Sequence, residues 1–375
     1  MPSVSVVIPS LNEEKTIASC IEKALSVFDD LGIDGEVIVA DNSTDRTPKI
    51  ATSLGAKVVT PTKMGYGSAY LKGLSSAEGE YIVIADADAT YNFLEMPKFL
   101  EPLMNGDADF VMGTRLKGDI KDGAMPWLHL HIGNPLLTKI LNVLFKMNVS
   151  DTHCGMRAFT REALEKMNLR STGMEFASEM IIEAARTGLR ISEVPITYYP
   201  RLGSPSKLSS FSDGWRHIRF MMLYNPVPFL FVPGFFLFIF GLLLTLTLLI
   251  QGNVVETNLH SLILGSLLAI IGFQTIIMGI YTRVYAIVHG LAREEGFIKR
   301  FLDYHSLEME LFVGAGLFLI GLITGTRVLI TWIFSGYGAL SEVGSAVISM
   351  VLATIGIMLI FSALFVSLLL LDKEE

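Results

Sequence analysis

The sequence predicts an α/β domain on a mostly parallel sheet, followed by four membrane-spanning helices. Three observations carry this. Short apolar runs alternate with helical segments through residues 1–210, the pattern of a parallel sheet with helices on both faces. Charge concentrates in the same region: residues 1–225 hold 23 of the 29 Lys and Arg and 27 of the 37 Asp and Glu. The remaining 150 residues are nearly all apolar and contain long stretches near 229–250, 262–285, 311–334 and 345–371. Each is long enough to cross a bilayer, which takes about 20 residues. The expected division is a first domain over 1–210, an amphipathic juxtamembrane helix over 211–226 and a membrane domain over 227–375.

Composition agrees. The chain has 375 residues, a net charge of −8 and 51% hydrophobic residues. Its mean hydropathy of +0.50 is too high for a purely soluble protein. Two cysteines, Cys20 and Cys154, form neither a disulfide framework nor a metal-ligand spacing and fit a reducing compartment. The sequence has no basic block, so no nucleic-acid partner is expected. The N-terminus reads as a strand, with no cleavable signal.

Taken in order, Ser3–Pro9 is a strand that stops at a proline. Residues 10–14 open a helix running to about Phe28, with Asn12 or Glu13 near its start. Glu36–Ala40 is a second strand, and the polar run Asp41–Thr47 feeds a helix through Leu54 with Asp45 as N-cap. Ala56–Val59 is a third strand. Gly65 and Gly67 precede the next helix; either they bring backbone close to a phosphate or they simply shape the turn. Tyr81–Ile84 is a central buried strand that runs directly into Asp86–Ala87–Asp88. Phe110–Arg115 is a further strand ending in a cation, and residues 119–148 carry an apolar helical stripe of Leu136, Leu137, Ile140, Leu141 and Leu144.

The chemistry sits where strands end. Two carboxylates one residue apart at the carboxyl end of a parallel strand lie where open α/β sheets place ligands. Such a lip suits a divalent cation already carrying phosphate oxygens; the alternative is a solvated acidic turn. Asp41 fits a hydrogen bond to a ribose or base, or an Asx-turn acceptor. Glu13 fits the same role or a helix N-terminus. Arg201 and Lys207, in a Gly/Ser/Pro loop, fit a diphosphate clamp or a solvated linker. His153 and Cys154 are adjacent and lack a third orienting group, so they are not read as a catalytic pair.

Together these pieces resemble the family 2 glycosyltransferases with the Rossmann-like GT-A fold, and specifically the polyprenyl-phosphate hexosyltransferases similar to dolichyl-phosphate mannose synthase. The matching residues are Val6–Pro9, Asn12–Glu13, Asp41–Asp45, Gly65, Gly67, Ala69 and Asp86–Asp88. Gly113–Arg115, Asp151, Gly155–Arg157, Glu193–Pro195, Arg201 and Ser206–Lys207 continue the match in order. The resemblance implies a hexose passing with inversion from a UDP- or GDP-sugar to a dolichyl- or undecaprenyl-type phosphate, for glycan assembly, protein glycosylation or the cell envelope. Pro9, Asn12, Glu13 and Asp41 would meet the nucleotide, Asp86 the ribose or sugar side, and Arg201 with Lys207 the diphosphate. Asp88 would bind Mg²⁺ or Mn²⁺ with help from Thr90, and Asp86 and Asp88 would be the catalytic carboxylates. Arg115 would meet the acceptor phosphate. The sequence departs from the pattern at Ala40, where relatives often carry a second aspartate, and at Thr90, where many carry Gln. Basic residues that often mark the acceptor helix are not evident in the sequence; His129 and His131 lie about there. A membrane enzyme acting on another lipid or on a growing polysaccharide, and a non-catalytic membrane subunit, are the competing readings; the first lacks its Gln-x-x-Arg-Trp string, and an inactive domain should have lost its aspartates.

Loops 251–258 and 335–344 contain no Lys or Arg, whereas the loop between the second and third spans carries Arg293, Lys299 and Arg300, and Lys207, Arg216 and Arg219 precede the first. The positive-inside rule therefore puts the first domain and the C-terminus of this multi-pass protein in the cytoplasm, at a cell or endoplasmic-reticulum-type membrane. Arg327 lies inside the third span and reads as snorkelling to the headgroups. The last two spans exceed what anchoring requires, which leaves self-association as a homo-oligomer, or lipid handling, as their use.

Overall fold

Hydrophobic strands with no polar alternation must be covered on both sides, and here they are. A computed structural model describes residues 3–202, 210–251, 258–290, 304–337 and 342–371. The chain divides into two compact units, residues 1–218 and 219–375. In the first, seven strands form one sheet: β1 (Val4–Ser10), β2 (Gly35–Asp41), β3 (Lys57–Val59), β4 (Tyr81–Ile84), β5 (Phe110–Ile120), β6 (Arg157–Thr160) and β7 (Ile191–Tyr198). Their order is β3-β2-β1-β4-β6-β5-β7. β6 runs antiparallel to both neighbours and the other pairs are parallel. Six strands therefore point the same way, and their carboxyl ends gather at one edge.

Helices α1 (Ile17–Leu31), α2 (Thr47–Ser53), α3 (Tyr66–Ser75), α4 (Met96–Met104), α5 (Asn134–Phe145), α6 (Arg161–Lys166) and α7 (Phe176–Arg186) complete this unit. Val6, Ile8, Ile17, Ile21, Val39, Val83 and Phe99 fill one core, and Val7, Ile38, Ile82, Ile84, Phe110, Phe159 and Met180 fill a second. Neighbouring residues of β1 and β4 alternate between the two, so the sheet is buried on both faces.

Three expectations need correction. The first helix begins at Ile17, not within residues 10–14, because Asn12 adopts φ +57° and the intervening segment forms a loop. Asp45 caps α2 from one residue outside the N-cap position, accepting from the Thr47 amide at 2.9 Å and from its hydroxyl at 2.6 Å. The strand expected to end at Arg115 continues as β5 to Ile120, so that cation stands inside the strand; along the stripe in 119–148, Leu141 is buried and Leu136 is 54% exposed.

Helix α8 (Ser210–Tyr224) covers most of the expected juxtamembrane segment. The second unit holds α9 (Val232–Gln251), α10 (Leu259–Val288), α11 (Tyr304–Phe334) and α12 (Val343–Leu371). Among the described residues, four segments are long and apolar enough to cross a membrane: Val227–Gln251, Leu259–Val288, Leu307–Phe334 and Val343–Leu371. They match the four expected spans. Arg327 is exposed and its guanidinium lies 4.0 Å from the Glu342 carboxylate at the start of α12.

The two helical hairpins pack by the same device. Gly234 and Gly241 of α9 meet Gly272 and Gly265 of α10, while Gly314 and Gly321 of α11 meet Gly356 and Ser349 of α12. Small residues seven apart let backbones touch, which is how apolar helices gain contact where lipid is as greasy as Leu. A Cβ on Gly272 would stand 2.2 Å from the Phe238 amide nitrogen, and one on Gly356 2.4 Å from that of Phe318. Gly316 of α11 has nothing within 4 Å of such an atom. Gly272→Leu and Gly356→Leu are therefore expected to destabilise the membrane unit by about 1–3 kcal/mol, seen as a lower melting temperature in detergent. Gly316→Leu should leave that temperature unchanged.

Candidate active site

The strand order reverses direction between β1 and β4, since β1 continues to β2 on one side and the chain returns through β4 on the other. That crevice is where doubly wound sheets hold ligands. The loops leaving β1, β2 and β4 carry Glu13, Asp41, and Asp86 with Asp88. Arg201 joins them from beyond the end of β7. The structure thus brings these five side chains to one edge of the sheet.

Asp41 closes β2 opposite Ser10 of β1. One carboxylate oxygen accepts from the Ser10 hydroxyl at 2.6 Å and from the Ser43 hydroxyl at 2.5 Å, and the other accepts from the Ser43 amide at 3.0 Å. This is the Asx-turn arrangement. Asn12 ties the two loops together, its amide donating to the Ser43 hydroxyl at 2.6 Å and its side-chain oxygen accepting from the Thr44 amide at 2.9 Å. Pro9 is the penultimate residue of β1, beside Ala40, so the strand runs one residue past the proline expected to stop it.

Arg201 bridges the crevice. Its guanidinium lies 2.7 Å from Glu13 Oε1 and 3.2 Å from Asp88 Oδ2. Asp88 Oδ1 accepts from the Thr90 hydroxyl at 2.6 Å and the Thr90 amide at 3.1 Å. Between the two aspartates and Thr90, Ala89 holds φ +61°, a conformation disfavoured for residues with a Cβ and costing on the order of 1 kcal/mol or more. The turn that sets the direction of Asp88 is therefore strained.

Asp86 is enclosed by Gly155, which the sequence match includes, and by tyrosines to which the sequence assigned no role. Tyr66 and Tyr70, one turn apart on α3, both donate to Asp86 Oδ1, at 3.0 and 3.3 Å. A Cβ on Gly155 would stand 2.9 Å from Asp86 Oδ2, and the Gly155 amide donates to the Tyr91 hydroxyl at 2.7 Å. Burial, then the Asp88 charge, push Asp86 up to about 7, while the tyrosine hydrogen bonds and Arg201 pull the other way. Burial likewise holds Tyr66, Tyr70 and Tyr91 protonated well above the usual phenol range. The i, i+4 spacing of Tyr66 and Tyr70 puts both on one helix face; that was the only sign of them in the sequence.

Other expected residues have different partners. Arg115 is 7% exposed. It makes a two-pronged ion pair with Asp151 at 2.7 and 2.8 Å, and its guanidinium lies 5.1 Å from the Tyr198 ring centroid. Burial works against the Asp151 anion, but the Arg115 charge and its hydrogen bonds outweigh it and hold that carboxyl below its usual range. Breaking one side of such a pair typically costs about 3–5 kcal/mol, so Arg115 is firmly committed. Gly65 and Gly67 pack on the backbone of 171–173, where Cβ atoms would come within 2.3 Å of Thr172 O and 2.1 Å of Ser171 O. They permit a close chain crossing there. Cys154 is buried and its thiol is pushed up to about 12 by burial, while the neighbouring His153 packs edge-on against His217 at 4.7 Å, with His217 bonded to the Ser178 hydroxyl at 2.7 Å. Lys207 lies outside the described residues.

Among the described residues no three His, Cys, Asp or Glu side chains form a metal-holding group. Asp88 nevertheless fits a divalent ion. Its Oδ2 already faces a positive charge, and magnesium-type ions take one or two carboxylates and complete their shell with phosphate oxygens and water.

Residues 5–167 match the family model described as glycosyl transferase family 2, and residues 280–370 match that of the glycosyltransferase family 2 C-terminal transmembrane region. A low-salt glycan biosynthesis hexosyltransferase, Agl6, of Haloferax volcanii is 46% identical over 366 residues, covering 96% of this chain and 88% of the relative. A dolichyl-phosphate hexose transferase of the same organism is 35% identical over 212 residues, 56% of this chain and 89% of its own length. Among solved structures, glucosyl-3-phosphoglycerate synthase from Mycobacterium tuberculosis, crystallised with Mn²⁺, UDP and glucosyl-3-phosphoglycerate, is 27% identical. That similarity covers 59% of this chain and 79% of the other, with a TM-score of 0.47.

The raised Asp86 gives a signed prediction. A carboxyl whose pKa rises on folding keeps its proton longer in the native state, so its contribution to stability falls as pH climbs from about 4 to about 7. Asp86→Asn removes that charge. With chelator present, the variant is expected to melt above the unsubstituted protein at pH 8, and the gap should close toward pH 5. Equal melting temperatures at every pH would show that Asp86 is not perturbed.

Proposed function

The chain belongs to glycosyltransferase family 2, and we propose that it transfers a hexose from a nucleotide sugar, UDP- or GDP-linked, to the phosphate of a polyprenyl lipid. The observation that carries this is the similarity of nearly the whole chain, membrane half included, to a hexosyltransferase. The relative named for dolichyl phosphate supports the acceptor.

The surface of the first unit agrees with a lipid acceptor. Trp127, Leu128, Ile132, Leu136 and Val143 are exposed along the segment leading into and through α5, flanked by exposed His131, Lys139 and Lys146. Exposed apolar side chains with a tryptophan, interspersed with lysines whose stems can snorkel, are the composition of a helix lying at a bilayer surface. The charge bias of the loops supports a cytoplasmic catalytic unit and C-terminus.

In this reading Pro9, Asn12, Glu13 and Asp41 form the nucleotide side of the site. Asp86, with its tyrosine shell, takes sugar or ribose hydroxyls, and Arg201 with Lys207 holds the diphosphate. Asp88, oriented by Thr90, would hold Mg²⁺ or Mn²⁺, which when bound supplies positive charge against the leaving nucleoside diphosphate. Arg115 acts through Asp151 to fix the loop that carries Gly155 under Asp86. The acceptor phosphate has a second pKa of about 6, so it is already an anionic nucleophile at neutral pH. It attacks the anomeric carbon from the face opposite the diphosphate, breaking that bond and inverting the centre. No side chain need remove a proton, and the protein's task is to orient two anions and screen them.

Purified full chain, a short polyprenyl phosphate and labelled nucleotide sugars with Mg²⁺ or Mn²⁺ test this. An acid-labile lipid-linked sugar is expected, with the rate falling about 100-fold or more in Asp88→Ala. Donor hydrolysis, or transfer to a glycan without lipid product, would overturn the acceptor. The double variant Leu128→Glu, Leu136→Glu should slow transfer in liposomes at least several-fold while leaving nucleotide-sugar affinity unchanged; equal rates would remove α5 from the membrane surface.

A further inference from the structure

Both oxygens of Asp88 already have protein partners. Oδ1 is held by the hydroxyl and amide of Thr90, and Oδ2 lies 3.2 Å from the Arg201 guanidinium, whose other arm is 2.7 Å from Glu13. A divalent cation on Oδ2 would sit within a few ångströms of the Arg201 charge, and like charges at that range repel. The backbone around Arg201 is fastened to the same loop. The Tyr199 amide donates to Thr90 O at 3.0 Å and the Leu202 amide to Asp88 O at 3.4 Å. The main chain at 199–202 is thus anchored beside Asp88, and the side chain is what can move. Arg201 is about a quarter exposed, so its head has solvent to swing into.

We propose that Arg201 is an internal competitor for the cation site: it neutralises Glu13 and Asp88 until a divalent ion displaces it, and the displaced guanidinium then serves the donor diphosphate. This rests on the metal-dependent reading above and adds an exchange of partners to it. The cation and the diphosphate are linked through one side chain, because the event that fills Asp88 also releases the arginine. A carboxylate pair left without either partner would face like-charge repulsion next to Asp86, which gives the ion pair a reason to exist.

The test is Mn²⁺ binding to the full chain in detergent, with free Mn²⁺ followed by electron paramagnetic resonance and no sugar donor present. Arg201→Gln is expected to tighten Mn²⁺ alone by about fivefold or more, and to weaken UDP or GDP by a similar factor once Mn²⁺ is saturating. Arg201→Lys, which keeps the charge, should leave Mn²⁺ affinity near that of the unsubstituted protein. Matching melting temperatures and monodisperse elution establish that the variants are folded. Unchanged or weaker Mn²⁺ binding in Arg201→Gln overturns the competition. If no form of the protein binds Mn²⁺, the competition fails as well, whereas lipid-linked product in the transfer assay would leave the reaction itself standing.

Discussion

Ending a buried strand in Asp86–Ala87–Asp88 brings two carboxylates into a region that water reaches poorly, where burial and then the Asp88 charge raise the cost of ionising Asp86. Much of the surrounding structure answers to that cost. Two tyrosine hydroxyls reach Asp86 from α3, and Thr90 and Arg201 share the two oxygens of Asp88. Burial first, and the Asp88 charge after it, still hold the Asp86 carboxyl up at about 7. A site organised this way is poised to accept positive charge, which is the property needed to bind the anionic half of a nucleotide sugar.

The supports of this lip come from far along the chain. Gly155 lies against Asp86 because its loop is fixed at both ends. Arg115 clamps Asp151, and Arg157 donates to the carbonyls of Thr152, Cys154 and Ala177. Glu193 of β7 accepts from the Ser150 amide and hydroxyl at the head of the same loop. Two buried arginines therefore spend their donors on shape. Arg201 differs from both because its carboxylate partners, Glu13 and Asp88, are themselves candidate ligand residues.

Strands β1 to β5 were legible as apolar runs, and the spans because nothing else is that long and apolar. By contrast β6, four residues beginning with Arg157, and β7, which carries Glu193 and Pro195, present no such run. Asp41, Asp86 and Asp88 could be named because they follow strands whose direction the alternating pattern dictates, while Glu13 was read from its place near a helix start and Arg201 from its Gly/Ser/Pro loop. Their pairings could not. Arg115 and Asp151 are 36 residues apart and Arg201 and Glu13 are 188 apart, and no local rule links residues at such distances. The stripe of 119–148 was legible only in part. An apolar helical face says that a helix is amphipathic, not whether a protein core or a bilayer receives it, so exposed Leu136 and buried Leu141 look alike in sequence.

The membrane half follows an economy of its own. Its helices touch through glycines at seven-residue spacing in both hairpins, a packing that needs no polar contact and leaves the larger side chains, such as Phe236, Phe312 and Phe361, facing outward. Association of this kind is set by backbone shape, so one methyl group on the contact line is felt across the whole hairpin. The catalytic edge is governed by the opposite physics, in which charges a few ångströms apart dominate and shape serves to hold them. For the proposed acceptor, itself an anion, this separation is apt: a membrane unit would keep the chain where a lipid phosphate is found, and the sheet edge would need only to supply positive charge.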